Sequence, residues 1–471
     1  MTHRIERDTM GEMQVPADAL YGASTARAVD NFPVSFEPVP PPVIHAFGYL
    51  KAACAEANRE LGKLDAQLTE SIVSASLEVA QGKHDKQFPV DIYQTGSGTS
   101  TNMNANEVIA NLANHRRGIG LGAKNEKGAV HPNDHVNMGQ SSNDTFPAAM
   151  HIAGAVAIKA QLIPALTRFA DELAAKGKEW DNIVKIGRTH LMDATPIRVG
   201  QVFDGYAAQA HYAVVRAGRA LARLEENMPI GGTAVGTGIN THPEFAKRVC
   251  AALTKQLGVE FQEAENHCEA QGAKDSFVAA HAELKTIAVS MTKIANDIRW
   301  LGSGPRCGLF ELLLPETQPG SSIMPGKVNP VIAESMMMVA CRVIGNDSVV
   351  TTSALGGIGS LFELNVAMPV MIDAFMESVK LLTNISNVFT DKLLVGLQVN
   401  ADRCKALIDE SLMMVTSLAP VLGYENCAKL AKQAFKENKT IRQLVSEQKL
   451  IEPAELDRLL DPDSMTRPDA I

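Results

Sequence analysis

The chain has 471 residues, of which 45% are hydrophobic and 21% charged, so it is long and apolar enough to bury a large core. Aromatic residues make up only 5%, which favours packed helices over a β-sandwich. The net charge is −9 and the sequence has no run of like charges, which argues against nucleic acid or an acidic membrane surface as a partner.

Cysteine usage and the N-terminal composition predict a soluble, cytoplasmic protein. Seven cysteines are scattered without a CxxC pair, which disfavours both disulfides and an iron–sulfur cluster. Residues 1–8 have no apolar segment typical of a signal peptide and are too acidic for a transit peptide. We find no apolar run of the roughly 18 residues that a membrane span requires.

The N-terminal third alternates between helical and irregular patterns. Prolines and glycines punctuate residues 1–42, which predicts an irregular arm with a short strand pair. Helical segments separated by polar breaks follow from residue 43 to about residue 114. Residues 94–104 are rich in glycine and hydroxyl side chains and precede a helix-compatible segment at 106–112. Such a loop suits an anion at a helix N-terminus, although N-capping alone also explains it.

Two polar motifs come next, at 131–135 and 140–144. The first places His131 and His135 four residues apart with Asp134 between them, a combination found in some metal sites. Because Pro132 excludes the pair from a helix interior, the usual helical metal geometry is not available. We therefore expect no metal at this motif.

Long helical patterns dominate the middle of the chain. Apolar residues recur at three- and four-residue steps over 146–177, 197–225, 272–300, 331–353 and 366–393. Pro164 predicts a kink in the first of these helices. Helices of this length must pack together to bury their apolar faces, which predicts a five-helix bundle. Several of these helices are apolar on more than one face, which predicts further burial against other subunits.

The domain organisation follows from these patterns. We predict a mainly α chain with a mostly helical N-terminal domain and arm over 1–139, and a central long-helix bundle over 140–397. A small helical C-terminal domain over 398–471 is indicated by shorter segments with breaks at Gly423, Pro453 and Pro462.

Two breaks inside the bundle contain unusual residues. Residues 187–196 form a short polar break between helices that includes His190, for which a structural role is the alternative to a catalytic one. Residues 231–240 are rich in glycine but lack the GxGxxG spacing and the preceding strand of a dinucleotide site. We predict a tight turn at the bundle end for the second break.

The segment 320–330, GSSIMPGKVNP, combines two glycines, two prolines, hydroxyls, an ammonium and an amide. Glycine and proline forbid a regular helix here, so the segment is predicted to be a shaped loop between helices. Backbone N–H groups near Gly320 suit an anion, as do Lys327 and Asn329. A phosphate loop is excluded because Lys327 is followed by Val328 instead of Ser or Thr. A polar connecting loop remains the alternative.

This loop resembles the signature of the fumarase/aspartase superfamily, and its Gly326-Lys327 form resembles class II (iron-independent) fumarases. Further matching stretches extend from Gly11 to about Pro468. Aspartases tend to have Gln where His190 stands, so the resemblance favours fumarase. It implies a homotetramer with a helical core that hydrates fumarate reversibly to (S)-malate, without cofactor or metal. Aspartase, a larger-substrate lyase and a structural crystallin-like protein are the alternatives.

The resemblance also implies roles for individual residues. Ser321 is the expected base, and His190, oriented by Glu334, is the expected acid. The expected substrate-binding residues are Ser97, Thr99, Ser141, Ser142, Asn143, Thr189, Ser322, Lys327 and Asn329. A secondary anion site is expected at His131, Asn133 and Asp134. Some relatives carry a basic residue where this chain has Gly128, so we expect this second site to bind anions weakly or not at all.

Energetics and geometry constrain these roles. Ionising a serine hydroxyl near neutral pH needs roughly 8 kcal/mol of differential stabilisation. A helix dipole supplies at most about 2 kcal/mol, whereas two or three backbone donors at roughly 3 kcal/mol each suffice. The candidate stretches lie at ends of helices that span roughly 45 Å. We therefore expect, as in the family's tetramer, sites shared between subunits and an inactive monomer.

Overall fold

The structure is a computed structural model that describes residues 2–468; Met1 and residues 469–471, at the outer ends of the first and third predicted domains, lie outside the described residues. The helices are α1 (Ala23–Asn31), α2 (Pro41–Glu60), α3 (Ala66–Ala80), α4 (Thr99–Arg116), α5 (Ser142–Ala157), α6 (Ile163–Glu179), α7 (Val199–Glu225), α8 (Phe245–Leu257), α9 (His267–Gly272), α10 (Asp275–Leu301), α11 (Val331–Ala354), α12 (Met368–Phe389), α13 (Ala401–Glu410), α14 (Ala419–Leu422), α15 (Tyr424–Glu437), α16 (Ile441–Glu447) and α17 (Pro453–Leu459). Single π-helical turns occupy Pro132–Val136, Ile158–Leu162 and Thr390–Leu394. Short 3-10 segments occupy Asp85–Gln87, Leu412–Leu418 and Ser464–Thr466.

Strands are short, and within the described residues each pairs with a single partner strand. The antiparallel pairs are β1 (His3–Asp8) with β2 (Gly11–Pro16), β3 (Val184–Thr189) with β4 (Met192–Arg198), β5 (Leu312–Leu313) with β8 (Gln398–Val399), and β6 (Ser360–Leu361) with β7 (Leu364–Asn365). The mainly α fold class is confirmed, and so is the strand pair of the N-terminal arm.

The five long helical segments are confirmed to within a few residues at most boundaries. A kink was predicted at Pro164 and stays a prediction; the structure has a π-helical turn at Ile158–Leu162, immediately before α6. Proline lacks the N–H that would continue the α-helical ladder, so the chain switches hydrogen-bond register just before it. Several elements were not predicted, among them helix α1 inside the arm, helix α8 after the glycine-rich turn, and the β3–β4 hairpin where a polar break was expected.

The chain divides into two compact units. The first comprises Met1–Pro164, Val215–Ala288 and Val339–Thr383, and the second comprises Ala165–Val214, Val289–Met338 and Asn384–Ile471. Every internal boundary falls within one of the long helices α6, α7, α10, α11 and α12. The three-domain division at 139/140 and 397/398 stays a prediction.

The first unit is organised around α2, which packs against α3, α4, α5 and α8. Apolar side chains such as Phe47 and Leu50 are fully buried along this helix. Gly48 permits the closest approach, because a Cβ there would lie 2.4 Å from the backbone nitrogen of Ala80 on α3. The loops of this unit are therefore attached to helices that pack around an apolar core.

In the second unit, the β3–β4 hairpin and the C-terminal helices pack together. Strand β3 contacts α13, and Val184 packs on an apolar cluster formed by α13 to α17 and the 3-10 segment between α13 and α14. Aromatic rings meet edge to face elsewhere in the unit, with Phe169 against Phe389 and Trp180 against Phe203. The hairpin is thus anchored at its base while its tip is exposed.

One continuous helical stretch, 142–179, is long and apolar enough by composition to cross a membrane, contrary to the expectation that no such run exists. However, 67% of its most apolar window is buried inside the protein, as in core helices of globular proteins. The stretch combines α5 and α6 with the intervening turn, so its apolar character is explained by burial.

Candidate active site

A cluster of hydroxyl groups joins two of the predicted substrate loops. Thr99 Oγ1 lies 2.7 Å from Ser97 Oγ and 2.8 Å from Ser142 Oγ. Thr99 is the first residue of α4 and Ser142 the first residue of α5, so the cluster lies where two helices begin. Free backbone N–H groups and the positive ends of two helix dipoles favour an anion at such a position.

Glycine is required at the start of α4. Gly98 caps the helix with a φ of +71°, and a Cβ there would lie 2.0 Å from the ring of Phe146. The hydroxyl-rich loop therefore reaches its position only because this residue has no side chain.

The start of α5 is held by its own side chains and by a distant turn. Ser141 and Asp144 form a capping box, and Asp144 also accepts hydrogen bonds from the backbone N–H groups of Gly231 and Thr233 at 3.0 and 2.9 Å. Burial raises the pKa of Asp144 to about 6, against the lowering effect of these N–H donors. The glycine-rich segment at 231–240 is a turn, as predicted, and this carboxylate secures it.

Asn143 is partly committed to the protein. Its Nδ2 donates to the carbonyl oxygen of Ala234 at 2.8 Å. One N–H of the amide remains for a ligand. Beneath these residues lies a buried network of Lys51 and side-chain amides that was not singled out from the sequence. The available signal was a lysine on the apolar face of a helix.

The loop at 320–330 is closed by its own backbone. The N–H of Gly320 donates to the carbonyl oxygen of Lys327 at 2.8 Å, and Asn329 Nδ2 donates to the carbonyl oxygen of Gly320 at 2.7 Å. A Cβ on Gly320 would lie 2.5 Å from the Lys327 carbonyl oxygen, so this closure requires glycine. Asn329 thus shapes the loop, and only part of its amide is available to a carboxylate.

Ser321 is at the centre of this loop and is partly exposed. Its Oγ accepts hydrogen bonds from the backbone N–H groups of Ile323 and Met324, at 3.2 and 3.0 Å. The side chains of Ser322 and Lys327 point into solvent in this chain. An oxygen that accepts two backbone N–H groups is placed where negative charge on it is stabilised.

His190 occupies the tip of the β3–β4 hairpin, directly after Thr189. His190 and Leu191 have φ angles of +57° and +62°, as in the type I′ turns that usually contain Asn and Gly. Left-handed backbone at residues other than glycine costs about 1–2 kcal/mol each. Such strain persists only where the surrounding structure holds the residue in position, and it is often found at functional sites.

Buried charges support the hairpin. Arg188 donates to Glu311 Oε2 at 2.7 Å, and Lys185 Nζ lies 3.4 Å from the same oxygen. Burial lowers the pKa of Lys185, against the raising effect of Glu311. His190 lines a cleft of about 520 Å³ together with Arg188 and Lys293.

Glu334 lies in the first turn of α11 and is exposed, as is His190. Within residues 2–468, neither side chain makes a hydrogen bond or ion pair, with the other or with any other group. The orientation of His190 by Glu334 therefore stays a prediction for the assembled protein.

The secondary-site motif folds as a single helical turn. His131 caps it, and its Nδ1 accepts from the N–H groups of Asn133 and Asp134 at 3.3 and 3.1 Å. His135 Nδ1 accepts from the N–H of His131 at 2.8 Å. Arg117, not singled out from the sequence, has Nη2 3.9 Å from where a Cβ of Gly128 would lie. A basic side chain from elsewhere in the chain is thus placed beside Gly128.

One arrangement imitates a hydrolase triad. His281 Nε2 lies 2.9 Å from Ser378 Oγ, and His281 Nδ1 lies 3.1 Å from Asp347. However, His281 and Ser378 are fully buried, and Ser378 donates its own proton to the carbonyl oxygen of Ala374. The hydroxyl is neither accessible nor bonded as a nucleophile requires, so the group is structural.

Comparison with known proteins identifies the family. A family model described as "Lyase" matches residues 11–345, and one described as "Fumarase C C-terminus" matches 414–467. The class II fumarate hydratase of Mycobacterium tuberculosis is 52% identical over 466 residues, 98% of this chain and 95% of that relative. The chain belongs to the class II fumarate hydratase family. The resemblance noted on the loop at 320–330 is thereby confirmed.

Solved structures of the fumarase family agree in fold. The class II fumarase of Schistosoma mansoni matches with a TM-score of 0.94 and 37% identity, covering 99% of this chain and 100% of that one. A fumarate lyase:delta crystallin of Brucella melitensis, solved with cobalt, matches with a TM-score of 0.93 and 39% identity, covering 99% and 100%. The similarity extends over the whole chain, so each candidate loop lies within the shared fold.

Proposed function

We propose that the chain is a fumarate hydratase, a carbon–oxygen hydro-lyase that interconverts fumarate and (S)-malate in the tricarboxylic acid cycle. Curated members of its family are named for this activity. The single structural observation that supports the chemistry most directly is the pair of backbone N–H groups donated to Ser321 Oγ. We propose that the reaction uses no cofactor and no metal.

In the dehydration direction, a base removes a proton from the carbon next to one carboxylate of malate, and hydroxide leaves from the opposite face. The intermediate carbanion spreads its charge into that carboxylate as an aci-acid form. The site therefore needs donors for two carboxylates, one strong base and one acid. Donors fixed in advance around the developing charge contribute most to the rate.

Ser321 is the proposed base, as an alkoxide. Its two backbone donors supply about 6 kcal/mol at roughly 3 kcal/mol each. That leaves about 2 kcal/mol of the roughly 8 kcal/mol needed, which we assign to groups that neighbouring subunits bring to the site in the assembled protein. Removing the proton from carbon then regenerates the serine hydroxyl.

His190 is the proposed acid, delivering a proton to the departing hydroxide through a water, with Glu334 orienting its ring. The hydroxyls of Ser97, Thr99 and Ser142 are proposed to hold a carboxylate, since they already converge within hydrogen-bonding distance. We assign the remaining carboxylate contacts to Ser141, Asn143, Thr189, Ser322, Lys327 and Asn329. His131, Asn133 and Asp134 are proposed as a secondary anion site.

The active form is proposed to be a cytoplasmic homotetramer whose sites combine residues of different subunits. His190 and Glu334 are exposed and unpaired within the described chain, as expected for groups completed by a neighbour. Large apolar side chains such as Tyr212 and Met338 are also exposed on long helices. Mixing His190→Asn with Ser321→Ala subunits should restore activity if the acid and the base of one site come from different subunits, and leave it absent if they come from the same subunit.

The activity is tested by adding purified protein to malate with EDTA present, and to aspartate in parallel, while following the absorbance of fumarate. We expect a rise with malate alone. A rise with aspartate alone would identify an ammonia lyase instead. Silence with both from an assembled tetramer would favour a larger succinyl substrate or a structural role.

A further inference from the structure

A buried lysine lies beneath the proposed carboxylate site. Lys51, in the middle of α2, is fully buried and donates to Asn102 Oδ1 at 2.8 Å and to Asn137 Oδ1 and Gln140 Oε1 at 2.9 Å each. All three partners are neutral side-chain amides. Isolated buried charges are costly, so a cation without a carboxylate in contact needs an explanation.

The geometry around Lys51 suits the charged form of this side chain. Three acceptors need three N–H donors, which an ammonium has and a neutral amine lacks. Further contacts set the amide orientations: Asn137 Nδ2 donates to the carbonyl oxygen of Gln140, and Gln140 Nε2 donates to that of Val136. Their oxygens must therefore face the lysine. The site is built around a positive charge.

The partners of Lys51 lead directly to the hydroxyl cluster. Asn102 is in the first turn of α4, three residues after Thr99, and its Oδ1 also accepts from Thr145 Oγ1 at 3.0 Å. Thr145 is in the first turn of α5, three residues after Ser142. Gln140 immediately precedes Ser141. One ammonium thus connects the starts of both helices that supply the hydroxyls.

We propose that Lys51 is a positioning residue for the substrate carboxylate, holding the starts of α4 and α5 together and supplying a positive charge, with no carboxylate in contact, beneath Ser97, Thr99 and Ser142. This inference rests on the proposed function and adds a cation beneath a hydroxyl cluster that itself offers only neutral donors. An anionic ligand above the cluster completes the charge balance that the apo chain lacks.

The charge on Lys51 responds to its surroundings. Burial lowers the pKa of Lys51 to about 7, partly offset by the carboxylate of Asp144 on α5. Burial also raises the pKa of the Cys54 thiol on the same helix, so that thiol carries no charge near neutral pH. Helix α4 and the segment before α5 present only neutral amides to it. A dianion bound nearby favours the ammonium, so ligand binding above neutral pH should be accompanied by proton uptake at this side chain.

The decisive variant is Lys51→Met, which keeps length and removes charge. The matched control is Lys274→Met, because Lys274 is also buried, donates to three carbonyl oxygens and has a pKa lowered to about 7 by burial. Lys274 contacts none of the residues proposed to bind the substrate. Lys51→Arg, which retains the charge, serves as a second variant for the case in which the methionine variant does not fold.

Kinetics on malate and calorimetric titration with succinate, a non-reacting dicarboxylate, provide the readout. For Lys51→Met we expect KM and the succinate Kd to rise roughly 10- to 100-fold while kcat changes far less. Proton uptake on succinate binding at pH 8, measured in buffers of different ionisation enthalpy, should disappear in this variant and persist in Lys274→Met. Lys51→Arg should retain most of the affinity.

The outcomes separate this inference from the proposed function. If the wild-type protein does not turn over malate, the proposed function fails. If the wild-type protein is active and Lys51→Met binds succinate within about twofold of it, or both methionine variants lose affinity equally, the role of Lys51 is overturned. Loss of affinity in a folded Lys51→Arg protein would likewise argue against a contribution from charge.

Discussion

Replacing Ser321 by alanine tests the proposed base most directly. The substitution removes one oxygen from a loop whose closure depends on other atoms, namely the contacts of Gly320 with Lys327 and Asn329. The two N–H groups of Ile323 and Met324 then lose their common acceptor. Because that acceptor is partly exposed, water can replace it, and we expect the fold to be retained.

The expected magnitude follows from these two hydrogen bonds. At roughly 3 kcal/mol each they favour the alkoxide by about 6 kcal/mol, a factor of about 10⁴ in its population. A water molecule at the same place lacks the fixed position and the covalent attachment of the serine oxygen. We therefore expect kcat for Ser321→Ala to fall by about 10⁴, with a much smaller change in KM because the hydroxyl acts on a carbon-bound proton.

The assay is fumarate formation from malate, combined with size-exclusion chromatography to confirm assembly. Ser322→Ala is the matched control, because Ser322 is exposed and lies beside Ser321 in the same loop. Losing one carboxylate donor should reduce its kcat/KM by about tenfold at most. An assembled Ser321→Ala protein that keeps more than about a tenth of wild-type kcat would refute the assignment of the base.

Three further predictions concern stability. Gly98→Ala should lower the free energy of unfolding by about 2–4 kcal/mol in urea titrations, because the new Cβ clashes with Phe146 and the φ is left-handed. The control Gly62→Ala, at a φ of +70° with open space around it, should lower it by only about 1 kcal/mol. Equal losses in the two variants would show that the clash with Phe146 does not contribute. Burial lowers the pKa of His151 to about 4 from its ordinary 6.5. As the pH falls, the unfolded chain therefore takes up a proton at this ring before the folded chain does, and the free energy of unfolding should fall by roughly 2 kcal/mol from pH 6.5 to 5. His151→Gln should remove that part of the pH dependence. Leu191→Asn should raise the free energy of unfolding by about 1 kcal/mol, because Asn tolerates the left-handed backbone of this exposed turn; an unchanged or lower value would show that the turn is not strained.

The parts of the fold that could be predicted are those governed by local pattern. Long amphipathic helices follow from apolar spacing, and the interruption before Pro164 follows from a missing N–H. Helix α1 was missed because its cap is distant in sequence: Glu107 accepts from the N–H groups of Gly22, Ser24 and Thr25. No spacing rule connects residues more than 80 positions apart, so such a cap cannot be found from sequence alone.

The β3–β4 hairpin was missed for a different reason. Its turn contains His190 and Leu191, whereas the sequence signal for a two-residue hairpin is Asn-Gly or a similar pair. The local rule is violated at the residue proposed to be catalytic. Conflicts between local preference and final structure are expected at functional positions, because the surrounding contacts must then hold the strained residue. The buried charges behind β3 provide such contacts.

The candidate site shows the same division between local and long-range information. Donors to Ser321 come from the next three residues, so their presence could be anticipated from the loop itself. The convergence of Thr99 with Ser142 depends on how α4 and α5 pack, and the sequence does not specify it. Lys51 was overlooked because burial of a lysine is exceptional and its three acceptors come from two segments that are distant from it in sequence.

The overall charge of −9 opposes a dianionic substrate, so the chain must attract it through local fields. At physiological salt the exposed charges are screened beyond about 8 Å, whereas buried groups and helix ends are screened much less. The starts of α4 and α5 and the ammonium of Lys51 are of the protected kind. Added salt should therefore weaken carboxylate binding far less than removal of any one of these groups.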